Sequence, residues 1–378
     1  MAAAPLSLLP MASSHRGPLS PGCVQCTEGQ KLVLFVTGLC RFRCFYCPVS
    51  SRRNQLDVVY ANERRVTCDA DVLDEARAIG AAGTGITGGD PLGVIDRTEH
   101  YVRLLKGAFG PDHHIHLYTH EPNAAKLERL ARAGLDEFRL HIPHYLWGPL
   151  AGAGGAYRAV LEAAPAWGIR RGVEIPVIPG KETELARLLR ALDDLGLDFV
   201  NLNELEFSET NEVALHARGF RVDPRNGWGV RGSRAAAEGI VRGLRLATPV
   251  HYCSSRFKDG VQLKRRLRRR AERTAAPFAL LSDEGTVTFG IVEVPPGVGF
   301  GPTAGRIVRR LGLAGPAYRL DPARRRVELA PGRLRRRAGA LPWPAFVVEE
   351  YPTADALEVE RTPLNAAAFP IRSRTGGT

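Results

Sequence analysis

Between residues 31 and 255, short apolar runs alternate with longer stretches of helical period. The runs KLVLFVT (31–37), GTGITG (83–88), HIHLYT (114–119), EFRLHI (137–142), GVEIPVI (172–178) and DFVNLNELE (198–206) read as strands, and TPVHYC (248–253) is a seventh candidate. Among the intervening stretches, DADVLDEARAIGAAG opens on an acidic turn, and NAAKLERLARAG starts at a capping Asn123 and stops at Gly134. ETELARLLRALDDLG ends at Gly196. Strand followed by helix, about six times over, predicts an α/β protein with a parallel sheet, either barrel or doubly wound. Thr119, His120, His141, Asn201 and Asn203 fall at strand ends. That rim carries the active site in β/α barrels, so the expected fold is a partial (β/α)6-type, TIM-like barrel.

After about residue 275 the pattern changes. LSDEGTVTFGIVEVPP reads as a hairpin turning at Glu284-Gly285, and short strands with Pro/Gly turns follow. The expected division is an N-terminal leader carrying a cysteine pair (1–30), the barrel (31–255), a basic helix (256–275), a small β-rich C-terminal domain (276–365) and a tail (366–378). The leader reads as flexible: its apolar stretch lacks the positive segment of a signal peptide. No run of about 18 uncharged apolar residues is present, so no membrane span is expected.

The net charge of +12 is concentrated late in the chain. Lys264–Arg273 carries seven basic residues and one acid, and Arg306–Arg337 carries eleven arginines and two acids. A phosphate-binding footprint, and hence RNA as a partner, is one reading; a solvated helix face with Leu263 and Leu267 as its buried edge is the other.

Seven cysteines, an odd number, do not form a secreted disulfide framework, and a reducing cytoplasm with metal ligation fits them better. Three stand within TGLCRFRCFYCPVS, as Cys40-x3-Cys44-x2-Cys47 at the end of an apolar run. Zinc and an electron-transfer [4Fe–4S] cluster would each require a fourth ligand. Three thiolates on a cubane leave one iron open, which suits substrate activation.

This loop, with the aromatic Tyr46 ahead of the third cysteine, resembles the signature of the radical S-adenosylmethionine (SAM) superfamily. The resemblance extends over about residues 31–255. TGGDP (87–91) ends the second strand, where the family has a Gly-Gly-Glu motif that holds the SAM amino group. Gly88, Gly89 and Asp90 take those places, the acid being one methylene shorter. IPVIPGKE (175–182) resembles the fifth-strand motif that packs on adenine, through Ile178 and Gly180. GQKLVLFVTGLCRFRCFYCPVS is similar to a largely archaeal group distantly related to pyruvate formate-lyase-activating enzymes. The resemblance implies a [4Fe–4S] cluster on Cys40, Cys44 and Cys47, with SAM bound nearby and Tyr46 against it. It also implies an external electron donor such as ferredoxin or flavodoxin, cleavage of SAM to a 5′-deoxyadenosyl radical, and hydrogen abstraction from a substrate. That substrate could be a protein backbone, as for glycyl-radical activases, or RNA, or a small molecule or peptide. A non-catalytic iron–sulfur redox sensor is the alternative outside catalysis.

Other residues remain. Cys23-x2-Cys26 and the His251/Cys253 pair of HYC make a C2HC set for zinc or an auxiliary iron–sulfur cluster if the barrel brings its first and last segments together. Cys68 reads as a packing residue. Asn201 and Asn203 share one strand face, suited to a substrate amine, sugar hydroxyls or the SAM ribose, and Glu204 and Glu206 share the other. His113, His114 and His116 sit at a strand start and read as structural; His120, His141 and His144 lie at or beyond strand ends.

Overall fold

The computed structural model describes residues 5–148, 155–225 and 227–368. The chain divides into two compact units, residues 1–266 and 267–378.

The first unit is built on one eleven-stranded sheet. In chain order its strands are β1 (Leu6–Leu8), β2 (Ser14–Arg16), β3 (Lys31–Phe35), β4 (Tyr60–Ala61), β5 (Arg64–Arg65), β6 (Gly83–Thr87), β7 (His114–Thr119), β8 (Glu137–Leu140), β9 (Arg170–Val177), β10 (Phe199–Glu204) and β11 (Val250–Cys253). Strands β3, β6, β7, β8, β9, β10 and β11 pair in parallel and in sequence order. A doubly wound sheet reverses its strand order partway, so this progression is that of a barrel. It stays open among the described residues, because β3 pairs outward with β4 and β11 with β2. TPVHYC thus supplies a seventh parallel strand.

Alternation within the strands explains the interior. Leu34, Ile86, Leu117, Leu140, Val173 and Leu202 are fully buried in the principal apolar core. Each contributes about 1.5–3 kcal/mol by leaving water. The intervening positions, among them His116, Arg139, Glu174, Asn201 and His251, line a cavity instead. The barrel is therefore apolar outside its sheet and polar within.

The N-terminal segment differs from the flexible leader expected of it. β1 and β2 form an antiparallel hairpin, and β2 covers the free edge of β11, pairing His15 with His251. Helix α1 (Pro21–Thr27) follows, capped by Ser20, whose Oγ accepts from the Cys23 amide at 3.2 Å. A β-carbon on Gly22 would lie 2.5 Å from Arg139 Nη2 and 2.6 Å from His116 Nδ1. Only glycine lets α1 seat this closely among side chains from β7 and β8.

The segment expected as a separate basic helix is helical over Ser255–Phe257, Lys258–Leu263 and Lys264–Thr274, and the division between units falls inside it. Arg265 Nη1 donates to the Thr27 carbonyl at 2.9 Å, and Arg266 pairs with Glu63 at 3.4 Å. Cys68 is exposed rather than packed, and its amide donates to Asp71 Oδ2 at 3.2 Å at the start of helix α2 (Asp69–Ile79).

The second unit is a six-stranded antiparallel sheet: β12 (Leu280–Leu281), β13 (Val287–Glu293), β14 (Tyr318–Asp321), β15 (Arg326–Leu329), β16 (Ala345–Glu350) and β17 (Glu358–Pro363). β12 and β13 form the hairpin expected around Glu284-Gly285. Many arginines of this unit are engaged internally. Arg326 is buried against Glu328 and Glu350, Arg324 pairs with Glu350 at 3.0 Å, and Arg333 donates to the Gly312 carbonyl at 2.6 Å. Residues 366–368 of the expected tail form a short helical turn; 369–378 lie outside the described residues.

Candidate active site

The chain leaves β3 into a loop whose backbone is fastened to the end of β6. The Gly89 amide donates to the Thr37 carbonyl at 2.7 Å and the Asp90 amide to the Leu39 carbonyl at 3.0 Å. A β-carbon on Gly89 would stand 2.2 Å from Leu39 O, and one on Gly38 would stand 1.6 Å from Arg53 O. Glycine is required at both places by close approach of the backbone.

Cys40, Cys44 and Cys47 are carried by this loop and line a cavity of about 550 Å³ with Tyr46, Gly88 and Gly89. Burial pushes the Cys44 thiol up to about 11 and also raises Cys40. Among the described residues, the set of His, Cys or carboxylate ligand atoms that converges within 4.8 Å is Cys44, His120 and His141; the three thiols do not converge so tightly. One zinc ion holds its ligands at about 2.0–2.3 Å, hence within about 4.6 Å of one another. Three soft donors spread more widely around a cavity fit a polynuclear iron–sulfur group better than a single ion.

His141 and Tyr46 form one wall. His141 Nδ1 donates to the Glu174 carbonyl at 3.1 Å, leaving Nε2 to accept from Tyr46 Oη at 2.9 Å. Burial, then nearby His120, holds His141 well below its ordinary pKa, so the imidazole is neutral. The His120 ring stacks on Phe42, with centroids 4.9 Å apart. His144 lies edge-on to Phe45.

Asp90 is committed within the protein. Its carboxylate accepts from Thr119 Oγ1 at 2.7 Å and from the amides of Leu92, His120 and Glu121 at 3.0–3.1 Å. Ile178 is buried in the apolar core, and Gly180 (φ +83°) stands in the turn after β9; neither lines the cavity, whereas Pro176 and Leu205 do.

A second cavity of about 410 Å³ shares Gly88, Gly89, His120, His141, Asn203 and Lys258 with the first. Here Glu174 accepts from Arg139 Nη1 at 2.9 Å, Asn201 Nδ2 at 2.9 Å and Asn203 Nδ2 at 2.7 Å. Burial alone would raise its pKa, but Arg139 and the two amides outweigh it and hold Glu174 below 4.5. Glu204 and Glu206 bind Ser255 and Lys258, at 2.8 Å and 3.1 Å. The sequence reading missed Arg139, Glu174, His116, Tyr118 and Lys258 as lining residues. The first four hold alternate positions in apolar strands, and that two-residue period was the available signal. His116, read as structural, lines this cavity, as do Cys23, Cys26, His251 and Cys253.

An open β/α barrel with a polar lumen and three thiols in the loop after its first parallel strand defines the class: the chain belongs to the radical SAM superfamily, whose family model matches residues 34–146. It is an enzyme of that type, and the family implies a [4Fe–4S] cluster and SAM. More particularly, the chain is 35% identical over 371 residues to the putative glycyl-radical enzyme activating enzyme MJ0021 of Methanocaldococcus jannaschii, covering 94% of this chain and 96% of that one. The PqqA peptide cyclase of Streptomyces rochei is 26% identical over 250 residues, 61% of this chain and 58% of that one. Among solved structures, Streptococcus suis SuiB bound to the precursor peptide SuiA overlaps with a TM-score of 0.40 at 11% identity, over 60% of this chain and 48% of SuiB. Methylornithine synthase (PylB) overlaps with a TM-score of 0.40 at 13% identity, over 58% and 65%. Residues 285–364 match a domain of unknown function, DUF8061. No helix among the described residues is long and apolar enough to cross a membrane.

Proposed function

We propose that the protein is a radical SAM activase-like enzyme whose cluster is held by Cys40, Cys44 and Cys47, and whose substrate is a polypeptide backbone. The observation that carries this reading is the seating of the three-cysteine loop on the Gly89 and Asp90 amides at the head of a polar lumen. The near-full-length similarity to an activating-enzyme relative supports the choice of substrate. Cys40, Cys44 and Cys47 would hold the cluster beside the SAM site, where the two together would supply one-electron reductive cleavage chemistry.

The chain's own groups do the rest. Gly88 and Gly89 bring bare backbone to the cavity, where polar groups can meet the SAM amino group. Asp90 acts through the backbone, tying the β6 end to the loop after β7. Tyr46 and His141 close the wall with no exchangeable charge at neutral pH. Asn203, held by Glu174, faces both cavities and presents an amide where an extended peptide segment would enter. Ile178 and Gly180 shape the turn after β9 rather than the lumen. An external one-electron donor such as ferredoxin or flavodoxin would supply the electron that SAM cleavage consumes. Seven free cysteines support a reducing, cytoplasmic setting. RNA is the weaker reading, since Arg265, Arg266, Arg324, Arg326 and Arg333 are engaged within the protein.

The test is anaerobic incubation with SAM and a strong reductant, reading 5′-deoxyadenosine. Wild type should form it, and Cys44→Ala should form none while keeping its circular dichroism. Undiminished cleavage by Cys44→Ala would sink the assignment.

A further inference from the structure

The cavity beneath the glycine pair collects a second set of metal-binding side chains. Cys23 and Cys26 stand three residues apart on α1, so one helix face presents both. His251 and Cys253 stand two apart on β11, so both point to the lumen side. All four line the 410 Å³ cavity, together with Arg139 and Asn201. The topology makes this meeting possible: the β1–β2 hairpin pairs with β11, and α1 then enters against the inner side chains of the sheet.

The surroundings prepare these groups as ligands. His251 is 4% exposed, and its Nδ1 meets Asn201 Oδ1 at 3.3 Å. Asn201 Nδ2 donates to Glu174, which fixes Oδ1 as the acceptor and His251 Nδ1 as the donor. Nε2 is then left with its lone pair, buried and without a partner in the protein. A metal-bound histidine is held in this way, with one ring nitrogen donating to an oxygen and the other free for the metal. Cys23 Sγ lies 3.2 Å from Asn201 Nδ2 and 3.4 Å from Arg139 Nη2, two N–H donors that stabilise a thiolate or a cluster-bound sulfur. Cys23, Cys26 and Cys253 are free of disulfides.

Spacing decides the class of group. The four do not converge within 4.8 Å, the reach of a single ion. The step from His251 to Cys253 alone separates their α-carbons by about 6.6 Å. We propose that Cys23, Cys26, His251 and Cys253 hold a second iron–sulfur cluster inside the barrel, beneath the site of SAM cleavage. The cluster lies on the side of the lumen where Asn201, which touches Cys23 and His251, is joined through Glu174 to Asn203.

The experiment removes the upper ligands first. A Cys40→Ala/Cys44→Ala/Cys47→Ala variant is reconstituted anaerobically with iron and sulfide, then examined by metal analysis and by Mössbauer and EPR spectroscopy. It should retain iron and sulfide in a cluster spectrum. Adding Cys23→Ser and Cys253→Ser should remove both, and adding His251→Ala alone should shift the EPR signal of the reduced cluster. Each protein is checked for native circular dichroism, and Cys26→Ser substitutes for any variant that fails it. A triple variant without iron, or one holding zinc in its place, would overturn the second cluster. So would iron that survives loss of Cys23 and Cys253. None of these results touches the upper assignment, which fails separately if Cys23→Ser/Cys253→Ser holds no iron and forms no 5′-deoxyadenosine.

Discussion

Cys40, Cys44 and Cys47 leave one loop within eight residues, whereas Cys23, Cys26, His251 and Cys253 reach a common cavity from a helix at one end of the barrel and its last parallel strand at the other. The upper set is held by backbone: two hydrogen bonds from the Gly89 and Asp90 amides, and glycines where a β-carbon would collide. The lower set is held by side chains, through Asn201, Arg139 and Glu174. A loop motif can thus be carried as one contiguous phrase. A lumen set exists only when the whole sheet is in register, because a one-residue slip would turn every inward group out.

Gly89→Ala should give the largest separation between the two. Its β-carbon would require Leu39 O to move, shifting the loop by about an ångström, and such misplacement costs about 100-fold in rate. 5′-Deoxyadenosine formation should fall by about that factor, while iron bound through Cys23 and Cys253 stays unchanged in the triple-alanine background. Wild-type rates in Gly89→Ala would mean that the loop is not held by the glycine pair.

Much of this was legible before the fold was known. The seven parallel strands follow the apolar runs, and the Cys-x3-Cys-x2-Cys loop and TGGDP lie where strand ends place them. The rest was hidden for physical reasons. Arg139 and Glu174 sit singly inside apolar strands, and nothing local indicates that a charge there points into a shared lumen rather than to solvent. Residues 6–16 lack a strong period, and they become strands because β11 offers a free edge. Asp90 occupies the expected motif position, yet its carboxylate is taken by four donors from its own turn, the last residue of β7 and the two residues after it, contacts no sequence spacing displays.

Glu174→Ala tests the lower framework. It leaves the guanidinium of Arg139 buried with Glu137 as its remaining acid and takes the acceptor from Asn201 and Asn203. Breaking a buried pair on one side costs about 3–5 kcal/mol, and the surviving Glu137 contact places this variant at about 3 kcal/mol, read by denaturant titration at pH 7. The sign with pH follows from the depressed pKa of Glu174. Its contribution is present above 4.5, the ordinary value, and is lost as pH falls through the lower folded value. Wild type should therefore lose stability more steeply than Glu174→Ala as pH falls from about 4.5 to that lower value, and in parallel with it below. Parallel acid curves would show that the carboxylate does not hold the lumen.

The smallest effect belongs to the arginine that reaches the lower set from outside. Arg265 donates to the Thr27 carbonyl at the end of α1 and pairs with Glu28 at 3.3 Å, but its side chain is 46% exposed. Such contacts are worth about 1 kcal/mol or less, so Arg265→Gln should lower the melting temperature slightly and leave both thiol sets in place. The same variant addresses the basic segment. If Arg265 serves α1, its loss should leave tRNA gel shifts and their salt dependence as in wild type, since no phosphate contact has been removed. A flatter salt slope in Arg265→Gln would instead mean that a released counterion, and therefore a nucleic-acid phosphate, had been lost. Arg265 would then belong to a binding face rather than to the support of the helix that carries Cys23 and Cys26.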